Sequence, residues 1–320
     1  MLSRSNLHRL SDESILLSNE DLAVEIALLG AELRSIRDSE SRQWLWQGDV
    51  GWWAARAPIL FPVVGRCAGS ELRHRGYSFP AEQAHGFARD LAFSVASLED
   101  DSCSLSLASD DSTRARYPFD FWLDMRFTLD GGRLWQTATV TNTGSETMPA
   151  SFGFHPGFPW PLPSDSAAPQ EAYEIIFAEA ESAPIRRLAN NLLADRSFAT
   201  PVEDKRLPLS PALFQSGSVI FDRLSSRSLW FGISDQSGIR IDFPDCPHLG
   251  LWMLPGASFL CIEPWQGYPC PEGFQGDILE KPGMIHLAPG ESFSRNMGIS
   301  IGSRLSQGPG NRPNGPPVRP

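Results

Sequence analysis

The stretch Phe121-Trp122-Leu123-Asp124-Met125-Arg126-Phe127-Thr128-Leu129-Asp130-Gly131-Gly132-Arg133-Leu134-Trp135-Gln136-Thr137-Ala138-Thr139-Val140 decides the fold. Phe121, Leu123, Met125, Phe127 and Leu129 fall on every second position, and Leu134, Gln136, Ala138 and Val140 resume the same period. A two-residue period places these side chains on one face of a strand, not on one stripe of a helix. Asp130-Gly131-Gly132 tolerates positive φ, so the two runs are expected to fold back as a β-hairpin with one buried face.

The same signal recurs outward from the hairpin. Short alternations occur over 22–28, at Cys103-Leu105-Leu107 and over 239–243, each bounded by Gly, Asp, Asn or Pro. Residues 249–262 are almost wholly apolar but are broken by Pro255-Gly256, which fits two buried strands better than one helix. Long amphipathic helices are hard to find. The fold class expected is all-β, a large, mostly antiparallel β-sandwich.

Residues 1–302 are expected to form a single domain, because strand-like segments continue on both sides of the proline-rich 159–170, which reads as a long surface loop. Residues 303–320, rich in Pro and Gly and poor in large apolar side chains, are expected to be a disordered tail.

Composition excludes several function classes. The 320 residues are 41% hydrophobic, too apolar for a disordered chain, and hold no uncharged apolar run long enough to cross a bilayer. A net charge of −11 repels nucleic-acid phosphates and anionic membrane surfaces, so neither is an expected partner. The first 21 residues carry Arg4, Arg9, Asp12 and Glu13 and no sustained apolar stretch; a cytoplasmic location is expected rather than secretion. Five scattered cysteines, Cys67, Cys103, Cys246, Cys261 and Cys270, suit reduced thiols better than a disulfide framework.

Phosphate-binding, nucleophile-elbow and zincin motifs are all missing. A zinc site drawn from Cys246, His248, Cys261 and Cys270 lacks a C-x-x-C spacing, so buried thiols are the preferred reading. Three segments instead combine ionisable groups with stiff backbone: 84–90 around His85 and Arg89, 153–158 around His155, and 261–267 around Glu263. His155 and Glu263 both precede proline, which holds each extended and aims its side chain. Glu263 follows an apolar run, and burial raises a carboxyl pKa toward the range of a general base; the alternative is a glutamate that ends a strand or pairs with arginine. His155 is either a proton donor or a satisfied core histidine, and His85 and Arg89 are equally open. Of ten tryptophans, including Trp52, Trp53, Trp160, Trp252 and Trp265, most should fill the core and one or two are candidates for a sugar platform.

Six motifs in series, Ala57-Pro58-Ile59-Leu60-Phe61-Pro62-Val63-Val64-Gly65-Arg66, His85-Gly86-Phe87-Ala88-Arg89, Tyr117-Pro118-Phe119, Phe154-His155-Pro156-Gly157-Phe158, Cys261-Ile262-Glu263-Pro264-Trp265 and Glu280-Lys281-Pro282-Gly283, resemble the aldose 1-epimerase family, the galactose mutarotase-like proteins. They span the chain to about Gly302 and resemble a divergent bacterial-type branch.

The resemblance implies a sugar cleft on one sheet of a β-sandwich, a small-molecule sugar as partner, and no metal or organic cofactor. It implies His155 as general acid and Glu263 as general base, on opposite sides of the acetal. It also implies Arg66, His85 and Asp222 as groups that hold sugar hydroxyls or the ring oxygen; the alternative for Asp222 is a turn cap. Removing the C1 hydroxyl proton while protonating the ring oxygen opens the ring, and closure from the other face exchanges α and β anomers.

A hexose 6-phosphate epimerase is the neighbouring expectation, with Arg73 and Arg75 expected near the cleft. A sugar-binding protein without turnover and a hydrolase using Asp222 with Glu263 are the competing readings.

Overall fold

The hairpin forms as the alternation dictates. Strands Phe121–Asp130 and Arg133–Asn142 pair antiparallel from Phe121 opposite Asn142 to Asp130 opposite Arg133, leaving Gly131-Gly132 as the turn, with Gly131 at φ +53°. Phe121, Leu123, Met125, Phe127 and Leu129 are all buried while their neighbours face outward. Each such Phe, Leu or Met stabilises the fold by roughly 1.5–3 kcal/mol relative to exposure.

The computed structural model describes residues 7–10, 13–234 and 236–303. The hairpin lies within a nine-stranded antiparallel sheet whose order is Arg206–Pro208, Glu174–Phe177, Ser228–Gly232, Ser237–Asp242, Ser292–Ser303, Arg133–Asn142, Phe121–Asp130, Ser102–Ala108 and Ser94–Leu98. The alternations noted at 22–28, 103–107 and 239–243 are the strands Leu22–Ala27, Ser102–Ala108 and Ser237–Asp242. Leu22–Ala27 belongs to a four-stranded N-terminal sheet.

The six-stranded sheet carries the site, and its strands are labelled here: β1 (Ile59–Leu60), β2 (Phe152–Phe154), β3 (Gly157–Pro159), β4 (Val219–Phe221), β5 (His248–Trp252) and β6 (Phe259–Gln266). Their order is β4-β5-β6-β2-β1, with β3 also pairing β6. The run broken by Pro255-Gly256 is β5 and β6, two antiparallel strands. Apolar residues of the four-, six- and nine-stranded sheets meet in one core cluster, so the architecture is a large antiparallel β-sandwich. Among the described residues the one α-helix is the four-residue Asp111–Arg114, and no helix is long and apolar enough to cross a membrane.

Residues 159–170 depart from the surface loop expected of them. Trp160 and Leu162 are fully buried, because the segment closes on itself. Trp160 Nε1 donates to Gln170 O (3.0 Å), Gln170 Nε2 donates to Trp160 O (2.8 Å), and the Leu162 N–H donates to Tyr173 Oη (2.8 Å). Satisfying the indole and backbone groups internally lets Trp160 enter the core, where its ring meets Phe214 edge-on. Of the expected tail, Ser303 ends the last strand and 304–320 lie outside the described residues. All five cysteines are buried and free.

Candidate active site

Strands β2 and β3 are one strand interrupted by Pro156, which has no N–H to give the ladder. Both pair with β6 in the same register: Gly153 lies opposite Trp265 and Gly157 opposite Cys261. The residue between them, His155, therefore falls opposite Glu263. Two groups over a hundred positions apart are thus brought together by register alone, and His155 Nε2 lies 3.2 Å from Glu263 Oε2. Both residues are buried, at 7% and 2% exposure.

Alternation along β6 sends Leu260 and Ile262 into the sandwich core and Cys261, Glu263 and Trp265 to the other face. Glycines on the neighbouring strands make that face hollow. A Cβ at Gly250 would come within 2.4 Å of the Trp265 ring, one at Gly153 within 2.6 Å, and one at Gly157 within 2.8 Å of the Trp53 ring. Two indoles therefore lie close on the sheet where side chains would otherwise stand. Trp53 lies over His155 with ring centroids 5.0 Å apart, and Trp252 meets His155 edge-on at 5.9 Å.

The resulting cleft of about 250 Å³ is lined by Trp53, Trp252 and Trp265, by His155 and Glu263, and by Arg66, His85, Arg89 and Asn191 among others. His85 sits at φ +73°, a left-handed conformation uncommon for a residue with a Cβ. It is held there because Gly86 packs against the Phe61 carbonyl, where a Cβ would come within 2.1 Å, and because the Phe61 N–H donates to His85 O (3.2 Å). The Gly65 N–H donates to His85 Nδ1 (3.1 Å), which fixes the neutral tautomer with its proton on Nε2. Desolvation, with the Arg89 and Arg66 charges, pushes the pKa of His85 down to about 3.

Burial acts on both members of the central pair. It pushes the Glu263 carboxyl well above the usual carboxylate range. It pushes His155 well below the usual imidazole range, with His85 and Arg89 adding to the effect. Burial thus disfavours the charged form of each member of the touching pair.

The candidate residues do not all converge. Arg66 and His85 line the cleft beside His155 and Glu263, with Arg66 exposed and one of its amines donating to Glu82 O (3.1 Å). Asp222 does not: it follows β4 one residue beyond Phe221, off the cleft lining, and Arg186 Nη1 holds its Oδ2 at 3.2 Å. Glu263 is therefore the one carboxylate among the described lining residues, and the two-carboxylate hydrolase reading lacks its second group.

Arg73 and Arg75 are likewise not at the cleft. Arg73 bonds Glu71 and the Gln275 carbonyl, and Arg75 pairs with Glu146. Nor are the cysteines once drawn around His248 gathered: Cys246 is in the sandwich core, and His248 Nδ1 accepts from the Gly267 N–H (3.2 Å). Asn191 was not anticipated. It lies at φ +64° beside Asn190 at φ +51°, in the turn between Leu188–Ala189 and Leu192–Leu193; an Asn-Asn pair is a primed-turn signal.

The family model for aldose 1-epimerase matches residues 13–300. The chain belongs to the aldose 1-epimerase family. It is 33% identical over 299 residues to the plasmid-encoded protein LacX of Lactococcus lactis subsp. lactis, covering 90% of this chain and 99% of LacX. Among solved structures, it resembles a galactose mutarotase related enzyme from Lactobacillus acidophilus, at 28% identity and TM-score 0.81, over 90% of this chain and 97% of the other. A galactose mutarotase-like protein from Lactobacillus casei, at 28% identity and TM-score 0.83, covers 90% of this chain and 99% of its own. These two structures share the sandwich, so the fold is galactose mutarotase-like.

Proposed function

We propose that this member of the family is an aldose 1-epimerase that interconverts the α and β anomers of a hexose by acid–base ring opening at His155 and Glu263. The observation that carries the reading is the 3.2 Å contact between a buried imidazole and a buried carboxyl in a tryptophan-walled cleft. The hydroxyl oxygen O1 and the ring oxygen O5 are bonded to the same carbon, so adjacent acid and base groups suit them. The cleft lies at the lower end of ligand-site sizes, which favours one monosaccharide over an oligosaccharide.

In this mechanism the pair starts as carboxyl and imidazole sharing one bridging proton, the form in which neither buried group is charged. Moving the bridging proton from Glu263 to His155 gives carboxylate and imidazolium with no change in net charge. The carboxylate takes the O1 proton, the imidazolium gives its proton to O5, and the C1–O5 bond breaks to leave the open-chain aldehyde. The pair is then back in its resting tautomer. Rotation about C1–C2 and the reverse transfers close the ring on the other face. Each positioned transfer accelerates such a reaction by about 10²–10⁴-fold. The Nε2–H of His85 and the guanidinium of Arg66 supply donors for charge developing on O5.

Glu263→Gln keeps the side chain's size and removes its basicity. Polarimetry of freshly dissolved α-glucose and α-galactose should show at least 10²-fold slower exchange than the wild type. Wild-type rates in the variant would remove Glu263 from the mechanism.

One observation favours a second reading, a phosphorylated hexose. Arg66 and Arg89 both line the cleft, and among the described residues neither is paired with a carboxylate. A higher kcat/KM for glucose 6-phosphate than for glucose, lost on Arg89→Ala, would select it.

A further inference from the structure

Cys261 stands beside the acid–base pair and has no part in the proton transfers. One ligand atom each from His155, Cys261 and Glu263 lies within 4.8 Å of the other two, and all three residues are buried. We propose that these three side chains bind a thiophilic divalent cation, with Zn²⁺ as the type case, and that its occupation of the cleft floor excludes the sugar.

Three features support this. Imidazole, thiolate and carboxylate are the donors zinc selects, and three protein ligands with a fourth position open to a cleft is the arrangement of exchangeable zinc sites. The charges cancel: one thiolate and one carboxylate balance a divalent ion, which matters for ligands this buried. His155 Nδ1 is also buried with no hydrogen-bond partner, so the ring can turn either nitrogen to the metal without giving up a bond on that side.

Tetrahedral zinc with bonds of about 2.0–2.3 Å sets its donors about 3.5 Å apart, so His155 and Glu263 are already in place. The longest of the three spacings must close by about 1 Å. On binding, the Cys261 thiol proton and the proton bridging His155 and Glu263 leave to solvent, which balances the two incoming charges. The Arg66 and Arg89 guanidiniums repel a cation, so the metal–sulfur bond carries the affinity.

The test uses the whole chain, with Co²⁺ and Zn²⁺ as probes. Titration should give one ion per chain, a thiolate-to-cobalt charge-transfer band, and a zinc absorption-edge spectrum with a single sulfur at about 2.3 Å among nitrogen and oxygen ligands. Removing even an outer partner of a metal ligand costs about 10–100-fold in affinity. Cys261→Ser should therefore bind at least about 100-fold more weakly and lose the band, while Cys103→Ser keeps both. The wild-type spectrum stands as the test if Cys261→Ser does not fold.

No sulfur in the coordination shell, or a band that survives in Cys261→Ser, overturns the site. Exclusion of the sugar rests on the epimerase reading, but metal binding does not. Cobalt binding without mutarotation removes only the epimerase, and mutarotation with no cobalt band removes only the metal site.

Discussion

Along Phe121–Asp130 every second side chain is apolar and buried, its neighbours face outward, and glycine occurs only at the turn that needs it. Along β6 all eight residues are buried, yet the face away from the core carries Cys261, Glu263 and Trp265, the last two lining the cleft, and the strands on either side supply Gly153, Gly157 and Gly250. The hairpin packs its apolar face and buries no ionisable side chain, although Trp135 Nε1 and Gln136 Nε2 on its second strand are buried without partners. The site sheet leaves His155 Nδ1 and Trp265 Nε1 buried without partners and buries two ionisable groups in contact. The contrast separates a sheet selected for stability from one that gives up stability to hold chemistry.

The strongest way to break that contrast is Glu263→Gln followed by two measurements. Exchange of anomers should fall by at least about 10²-fold, while the thermal midpoint stays within a few degrees or rises, since a buried acid is replaced by a neutral isostere. A collapse in stability with the activity loss would make Glu263 a structural residue. Phe127→Ala should give the converse. Truncating a fully buried aromatic costs roughly 3–5 kcal/mol, read as a lower midpoint in denaturant, with turnover per folded molecule unchanged.

These two regions also differ in how they read from sequence. The hairpin was legible in full because burial on one face writes a two-residue period into the chain, and the turn glycines mark its end. β6 was legible only as an apolar run, since a strand buried on both faces has no period to read. His155 and Glu263 stood out through the prolines that follow them, but nothing local says that they meet. That follows from two flanking stretches sharing one register on β6, a long-range fact. Asp222, read as a sugar-holding group or a turn cap, is held by Arg186, a partner that no motif announces. Arg75 was misplaced for the same reason, as Glu146 lies on a distant segment, while Arg73 is held by Glu71 on its own strand and by the distant Gln275 carbonyl.

Gly250→Ala sharpens the comparison at intermediate size. Its Cβ would meet the Trp265 ring at 2.4 Å, so the indole must shift in the cleft it lines. Overpacking of this kind costs roughly 1–3 kcal/mol. Here, unlike in the hairpin, the change should also raise KM, because the displaced ring enters space the sugar needs. An unaltered KM would show that Trp265 is a spectator to binding.

The smallest effect expected is a slope, and it concerns His85. In the folded protein its pKa is pushed down to about 3, against an ordinary value of 6.5, so between those limits the unfolded chain binds the proton and the folded one does not. Stability from this source is therefore complete above pH 6.5 and is lost as the pH falls toward 3. His248, pushed down to about 4 by burial, contributes with the same sign over a narrower window. His85→Asn keeps a residue that tolerates the left-handed backbone and removes the titration. The variant's thermal midpoint should thus fall less steeply than the wild type's between pH 6 and about 4, with the remaining slope due in part to His248. Parallel slopes in the two proteins would mean that His85 takes its proton in the folded cleft as readily as in water. The arginines lining that cleft would then have to be neutralised by something other than solvent.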